Sequence, residues 1–220
     1  VFALVALSLA LAAILENRSG QVPPNGAPPA NAAGFRFGAL AILLGLIAAA
    51  GAFTEQAAMS WTVLYLETIW HALPLHSALA PAAFMLGMSG GRFLAHMAEI
   101  RWPAHRILLI AGLIGGPVFA AMAALPNVSL TVFLCAIGGI AVGPVEPTVF
   151  RMVSRRTEAS RRGPVLAGVT ALAYAGYLTA SPFMGTMVGM FGWAAAWIML
   201  ACVLLSVIIL VRAVSLREAA

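Results

Sequence analysis

Apolar residues do not alternate with polar ones in this chain; they run on in long blocks divided by short polar stretches. Blocks at about 37–66, 78–98, 107–125, 130–150, 165–188 and 193–211 each hold roughly the 20 residues that an α-helix needs to cross a hydrocarbon core. The first, at about 30 residues, exceeds one perpendicular crossing, so it is expected to tilt, kink or extend beyond the bilayer. Residues 1–14 are apolar but too short to span. They lack both the basic segment and the small-residue cleavage site of a signal peptide, and are expected to be the end of a preceding span. Residues 15–36 cluster Pro, Gly and Asn without periodicity, the composition of a flexible linker. The expected fold is therefore an all-α membrane protein. Its six-helix bundle over 37–213 follows a fragmentary span and a cytoplasmic linker and ends in a short tail, 214–220.

Composition agrees: 62% of residues are hydrophobic and 9% charged, against about 25% charged in soluble domains. All twelve basic residues are Arg and all seven acids are Glu, a bias that reads as the nucleotide habit of a bacterial source. The net charge of +5 is not a nucleic-acid signal here, because its distribution has another explanation. Arg18 and Arg36, then Arg92, Arg101 and Arg106, then Arg151, Arg155, Arg156, Arg161 and Arg162, then Arg212 and Arg217 fall on one set of alternating loops, and none falls on the other. Short cytoplasmic loops collect arginine, so six spans with both ends cytoplasmic are expected, in a bacterial inner membrane. Trp70, Trp193 and Trp197 near span ends fit interfacial anchoring. Cys135 and Cys202 lie in apolar runs without redox or metal spacing, and no zinc, haem or other cofactor pattern occurs.

The spans differ in polarity. The third has no polar side chain and the sixth only Cys202 and Ser206, which marks them as peripheral. The first holds Thr54, Glu55, Gln56, Ser60, Trp61, Thr62 and Tyr65. Thr54, Ala58, Trp61 and Tyr65 share one helical face, as do Thr170, Tyr174, Tyr177 and Ser181 in the fifth. Two polar, aromatic faces are expected to wall a cavity, unless their hydroxyls bond their own i−4 carbonyls or join helices. Glu55 and Glu146 are the carboxylates inside apolar runs. A charge there costs about 2.5–3.5 kcal/mol on the mildest scale and normally faces a bundle interior or water. Glu55 lies about 28 Å along its helix from Arg36, in the outer half, and is the candidate for proton coupling or substrate binding, with a protonated interhelical link as the alternative. Glu146, between Pro144 and Pro147 and one turn before Arg151, is either a coupling acid or the structural partner of a loop arginine. Glycines at 112, 115, 116, 138, 139, 143, 185 and 189 permit close helix approach.

These residues resemble a known family. GMSGGRFLAHMAEIRWPAHRIL is similar to the loop between the eighth and ninth spans of major facilitator superfamily transporters, with His96 near an expected acid, Glu99 in place of Asp, and Pro103 where Gly is common. TEQAAMSWTVLYL resembles the seventh span of the sugar-permease-like branch, GGIAVGPVEPTVF the tenth, and LAGVTALAYAGYLTASPFMGTMVGMFGWAAAW the eleventh span, its turn and the start of the twelfth. The resemblance implies the C-terminal half of a secondary transporter. Its first, second, fourth and fifth helices would line a central cavity, Arg92, Glu99, Arg101 and Arg106 would serve the gating loop, and a missing N-terminal six-helix half would complete the carrier. Implied partners are a small-molecule substrate, a proton or other coupling ion and the lipid bilayer. Aromatic rings and hydroxyls suit a neutral polar solute such as a sugar; a hydrophobic drug exporter would use the same rings. The absence of arginine inside the spans argues against an anionic substrate.

Two other classes remain open. Gly87, Met88, Ser89 and Gly90 match the G-x-S-G of rhomboid-type intramembrane proteases, but the last three spans hold no histidine to take the serine proton. A channel would want a filter-like repeat or a ring of charges, and neither is present.

Overall fold

The computed structural model describes residues 38–124 and 127–219. The expectations for 1–14 and 15–36 lie outside the described residues, as do the end of the third span at residue 125 and Pro126 of the turn that follows. The described residues form helices and no strand: α1 (Ala39–Trp70), α2 (Pro74–Ala98), α3 (Ala104–Ala124), α4 (Val128–Val142), α5 (Val145–Arg156) and α6 (Ala159–Ala219). Among them are five segments long and apolar enough to cross a membrane, with α4 and α5 counted as one segment, Val128–Arg156. The protein is an all-α membrane protein.

Local chemistry explains where the helices stop. Nothing breaks α1 over its 32 residues, about 48 Å of helix. It ends at His71, which takes left-handed φ 48° and ψ 35°, while Ala72 N donates to Leu66 O at 3.1 Å. Pro74 then opens α2 at a first-turn position where its missing N–H costs nothing. Asn127 caps α4, its Oδ1 accepting from Ser129 N at 2.9 Å and Leu130 N at 3.4 Å. Gly143 and Pro144 keep right-handed helical angles, so α4 runs on into α5 and only its hydrogen bonding is interrupted.

Three stretches are more helical than the hydrophobic pattern predicts. Glu67 belongs to α1, residues 74–77 belong to α2, whose expected span began at 78, and the expected loop over 151–164 is helical except at Thr157 and Glu158. Apolar run length marks where a chain leaves the bilayer. It does not mark where a helix ends, because Arg, Glu, Met and Ala all sustain helix in water. α6 has 61 residues, about 90 Å if straight, three times a hydrocarbon core. It is interrupted at Gly192, with φ 83° and ψ 174°, a region open essentially to glycine alone. The break divides it into 159–191 and 193–219, each long enough for one core.

α1 packs along α6, α2 against α4, and α3 against the second part of α6. The α2–α4 seam is the tightest. A methyl on Gly87 would meet Ala136 O and one on Gly91 would meet Ile140 O; from the other side, one on Gly139 would meet Phe84 O and one on Gly143 would meet Met88 O. Two glycine pairs spaced by four residues thus face each other backbone to backbone, the small-residue packing that holds helices together where no hydrophobic effect operates between them.

Candidate functional site

α1, α5 and the first part of α6 enclose a recess of about 240 Å³. α1 contributes Ala52 and Glu55, α5 Glu146 and Phe150, and α6 Thr170, Ala173, Tyr174 and Tyr177. The spacing of Thr170, Tyr174 and Tyr177 on one face turns all three toward it. Glu146 reaches it because the Gly143–Pro144 junction carries the helix past the middle of α1 while keeping helical angles. The recess therefore brings together Glu55, Glu146, Tyr174 and Tyr177, which stand up to about 120 residues apart in sequence.

Arg92 approaches the same two acids from α2. Its Nε donates to Gly143 O at 3.3 Å, and its charge acts on both Glu55 and Glu146. The acceptor is free for a local reason. In a continuous helix Gly143 O would accept from the N–H of residue 147, and Pro147 has none. A proline in α5 thus prepares the carbonyl that holds an arginine of α2.

Other expected site residues lie elsewhere. On the face of α1 shared by Thr54, Ala58, Trp61 and Tyr65, Thr54, Ala58 and Tyr65 are buried, so the face packs largely against protein, with Tyr65 also lining a separate aromatic recess beside Trp193 and Trp197. Thr54 Oγ1 donates to Ala50 O at 2.8 Å, Thr62 Oγ1 donates to Ala58 O, and Tyr65 OH donates to Met122 O at 3.4 Å. Tyr65 packs at 5.3 Å from both Trp193 and Trp197, with Trp61 6.0 Å from Trp193. Trp197 is fully buried, so it is a packing residue and no interfacial anchor. Helical periodicity finds a face but cannot say whether protein or water meets it; Glu55, one residue and 100° round from Thr54, faces the recess. Gln56 is half-buried and lines neither this recess nor the aromatic one beside Tyr65. Ser181 is half-buried outside the recess.

At the arginine-rich end, Glu99 forms an ion pair with Arg151, whose Nη2 also donates to Thr148 Oγ1 at 3.4 Å. The acid paired with this loop arginine is therefore Glu99 and not Glu146; Glu146 and Arg151, five residues apart on α5, point about 140° away from each other round the helix. Arg101 and Arg106 are exposed and join no ion pair among the described residues. Ser89, the candidate nucleophile, is exposed on α2 and donates to Met85 O at 3.0 Å. Among the described residues no group of three His, Cys, Asp or Glu could hold a metal. Thr170 was expected on the cavity-facing side of its span and lines the recess, whereas Phe150 was not legible as a site residue and neither was the Arg92–Gly143 bond; Pro147, four residues after Gly143, was the signal available for that bond.

The family model of the Major Facilitator Superfamily matches residues 41–220. No match was found among curated proteins. Among solved structures the chain is similar to a bacterial homologue of the human lysosomal transporter Spinster, in an inward-facing and unoccupied conformation, with a TM-score of 0.54 and 18% identity. That similarity covers 87% of this chain and 50% of the other, so the chain spans about half the length of that transporter.

Proposed function

The chain belongs to the Major Facilitator Superfamily, a family of transporters and not of enzymes, and on that premise we propose that it is the C-terminal six-span half of a proton-coupled carrier working by alternating access. α6 crosses twice, turning at Gly192, and the arginine-rich loops face the cytoplasm of a bacterial cell. Substrate binds between this half and an N-terminal one, and rocking of the halves exposes it alternately to either side.

The observation that carries this reading is the shared recess of Glu55 and Glu146 beside Arg92. One guanidinium balances one carboxylate. The second negative charge, in a membrane interior, requires a proton or another cation. Loading and unloading that cation changes the net charge of the recess, and the charge change favours one orientation of the halves over the other. Tyr174 and Tyr177 add rings and hydroxyls to the same wall, which suits a small polar solute such as a sugar, bound by stacking and by hydrogen bonds to the carboxylates.

A second reading, an efflux carrier for lipophilic cations, is favoured by the pairing of two acids with Phe150 and the two tyrosines in one recess. The full-length protein in proteoliposomes discriminates. Solute-dependent proton movement that Glu55→Gln abolishes supports coupling at this site, and unchanged proton movement in that variant removes it. Saturable uptake of a neutral sugar favours the first substrate class, and extrusion of a lipophilic cation the second.

A further inference from the structure

A second concavity, of about 330 Å³, opens between α2, α3 and α4, away from the carboxylate recess. All twelve residues that line it are apolar. Leu94 and Ala98 come from the last turns of α2, Trp102 from the α2–α3 turn, Ile107 and Ile114 from α3, and Ile140 from α4. Its charged surroundings are one-sided. Arg101 precedes the lining residue Trp102 and Arg106 precedes the lining residue Ile107, so two arginines neighbour its lining in the chain at the α2–α3 end. Both are exposed and neither takes part in an ion pair among the described residues. The nearby acid, Glu99, is already held by Arg151. Trp102 is 46% exposed at the same end, the position of an indole at a membrane–water interface.

We propose that this groove binds one anionic phospholipid, with an acyl chain in the apolar trough and the phosphate on Arg101 and Arg106. Charge complementarity selects the occupant. Two unpaired arginines at one end of an apolar trench match a phosphodiester above a hydrocarbon tail, and arginine binds phosphate through a planar fork of donors. A zwitterionic lipid would fill the trench but bring a cationic group to the same end. An apolar peptide would leave both guanidiniums without a partner. Anionic lipids are concentrated in the cytoplasmic leaflet, the side on which the arginine-rich loops are proposed to lie. The proposal goes beyond the transport reading and needs neither Glu55 nor Glu146.

The test uses the full-length protein in nanodiscs containing tail-brominated phosphatidylglycerol or, separately, tail-brominated phosphatidylcholine. The part of the tryptophan quenching that disappears in Trp102→Phe reports occupancy of the groove. A basic residue near an anionic surface contributes about fivefold to association. The parent should therefore favour phosphatidylglycerol by at least about fivefold, and Arg101→Gln with Arg106→Gln should bring the two lipids level. The control pair Arg161→Gln with Arg162→Gln, exposed at the start of α6, should keep the preference. Ala98→Phe, which fills the trench and leaves both charges, should lower quenching by either lipid. Equal quenching of the parent by the two lipids, or a preference that survives loss of Arg101 and Arg106, overturns the proposal. So does an equal loss in the Arg161 and Arg162 control, which would assign the preference to general surface charge. Should Ala98→Phe fail to assemble, the arginine pairs decide the question alone.

Discussion

Arg92 of α2 donates through Nε to the main-chain carbonyl of Gly143 at 3.3 Å, the acceptor left open because Pro147 carries no N–H. The bond fastens the arginine-rich end of α2 to the junction of α4 and α5. It also holds a positive charge within range of Glu55 and Glu146. One proline thereby couples helix geometry to the charge balance of the recess.

Restoring that N–H should release Arg92. Pro147→Ala lets residue 147 donate to Gly143 O in the ordinary i−4 pattern, and alanine is the better helix former in an interior turn. The expected outcome is a melting temperature equal to or above the parent's. Transport by the full-length protein should fall about tenfold, the scale of one lost hydrogen bond to a charged group. Parent-like transport would show that the position of Arg92 does not matter.

The two carboxylates should fail in the same way when neutralised. Glu55→Gln is expected to stay folded and membrane-embedded, to abolish gradient-driven accumulation, and to leave counterflow exchange partly intact. Glu146→Gln should show the same separation, because Glu146 shares the recess with Glu55 while Arg151 is served by Glu99. Paired accumulation and counterflow assays check this. A Glu146→Gln protein that accumulates solute like the parent would reduce Glu146 to a bystander.

The α2–α4 seam predicts a contrast between neighbouring glycines. Gly139→Ala drives a methyl into Phe84 O; overpacking of this kind costs about 1–3 kcal/mol. Gly90→Ala, one residue from the seam and with nothing within 4 Å of its new methyl, should be neutral or stabilising by up to about 1 kcal/mol through helix propensity. Thermal denaturation in one detergent measures both. Equal effects would mean that the close approach is not as described.

Ser129 and Ser160 are exposed, the first on the opening turn of α4 and the second on that of α6. Ser129 stands at the start of the 29-residue segment Val128–Arg156 and Ser160 just beyond its end, so about 43 Å of helix runs between them. In a full-length background lacking Cys135 and Cys202, a membrane-impermeant thiol reagent applied to intact cells should modify Ser129→Cys and spare Ser160→Cys. Reversed labelling would invert the proposed orientation, and labelling of both would remove this segment from the spans.

Run length and composition alone determine that this chain is a helical membrane protein and roughly where its apolar helices lie. Those properties follow from single segments meeting lipid or water, and each can be read without knowing what the segment packs against. The glycine-rich turn after Val188 was legible for a similar reason: a chain reversal needs a backbone angle that glycine tolerates, and Gly192 supplies it. Only the tertiary structure decided which partner each polar group takes. It placed Glu146 on the recess and gave Arg151 to Glu99, buried the Thr54–Tyr65 face while turning Glu55 outward from it, and joined Arg92 to a carbonyl 51 residues away. Such pairings depend on helix rotation and crossing distance. These are set by glycines meeting backbone across the α2–α4 seam and by aromatic rings between α1 and α6, contacts between segments remote in sequence that no local pattern records.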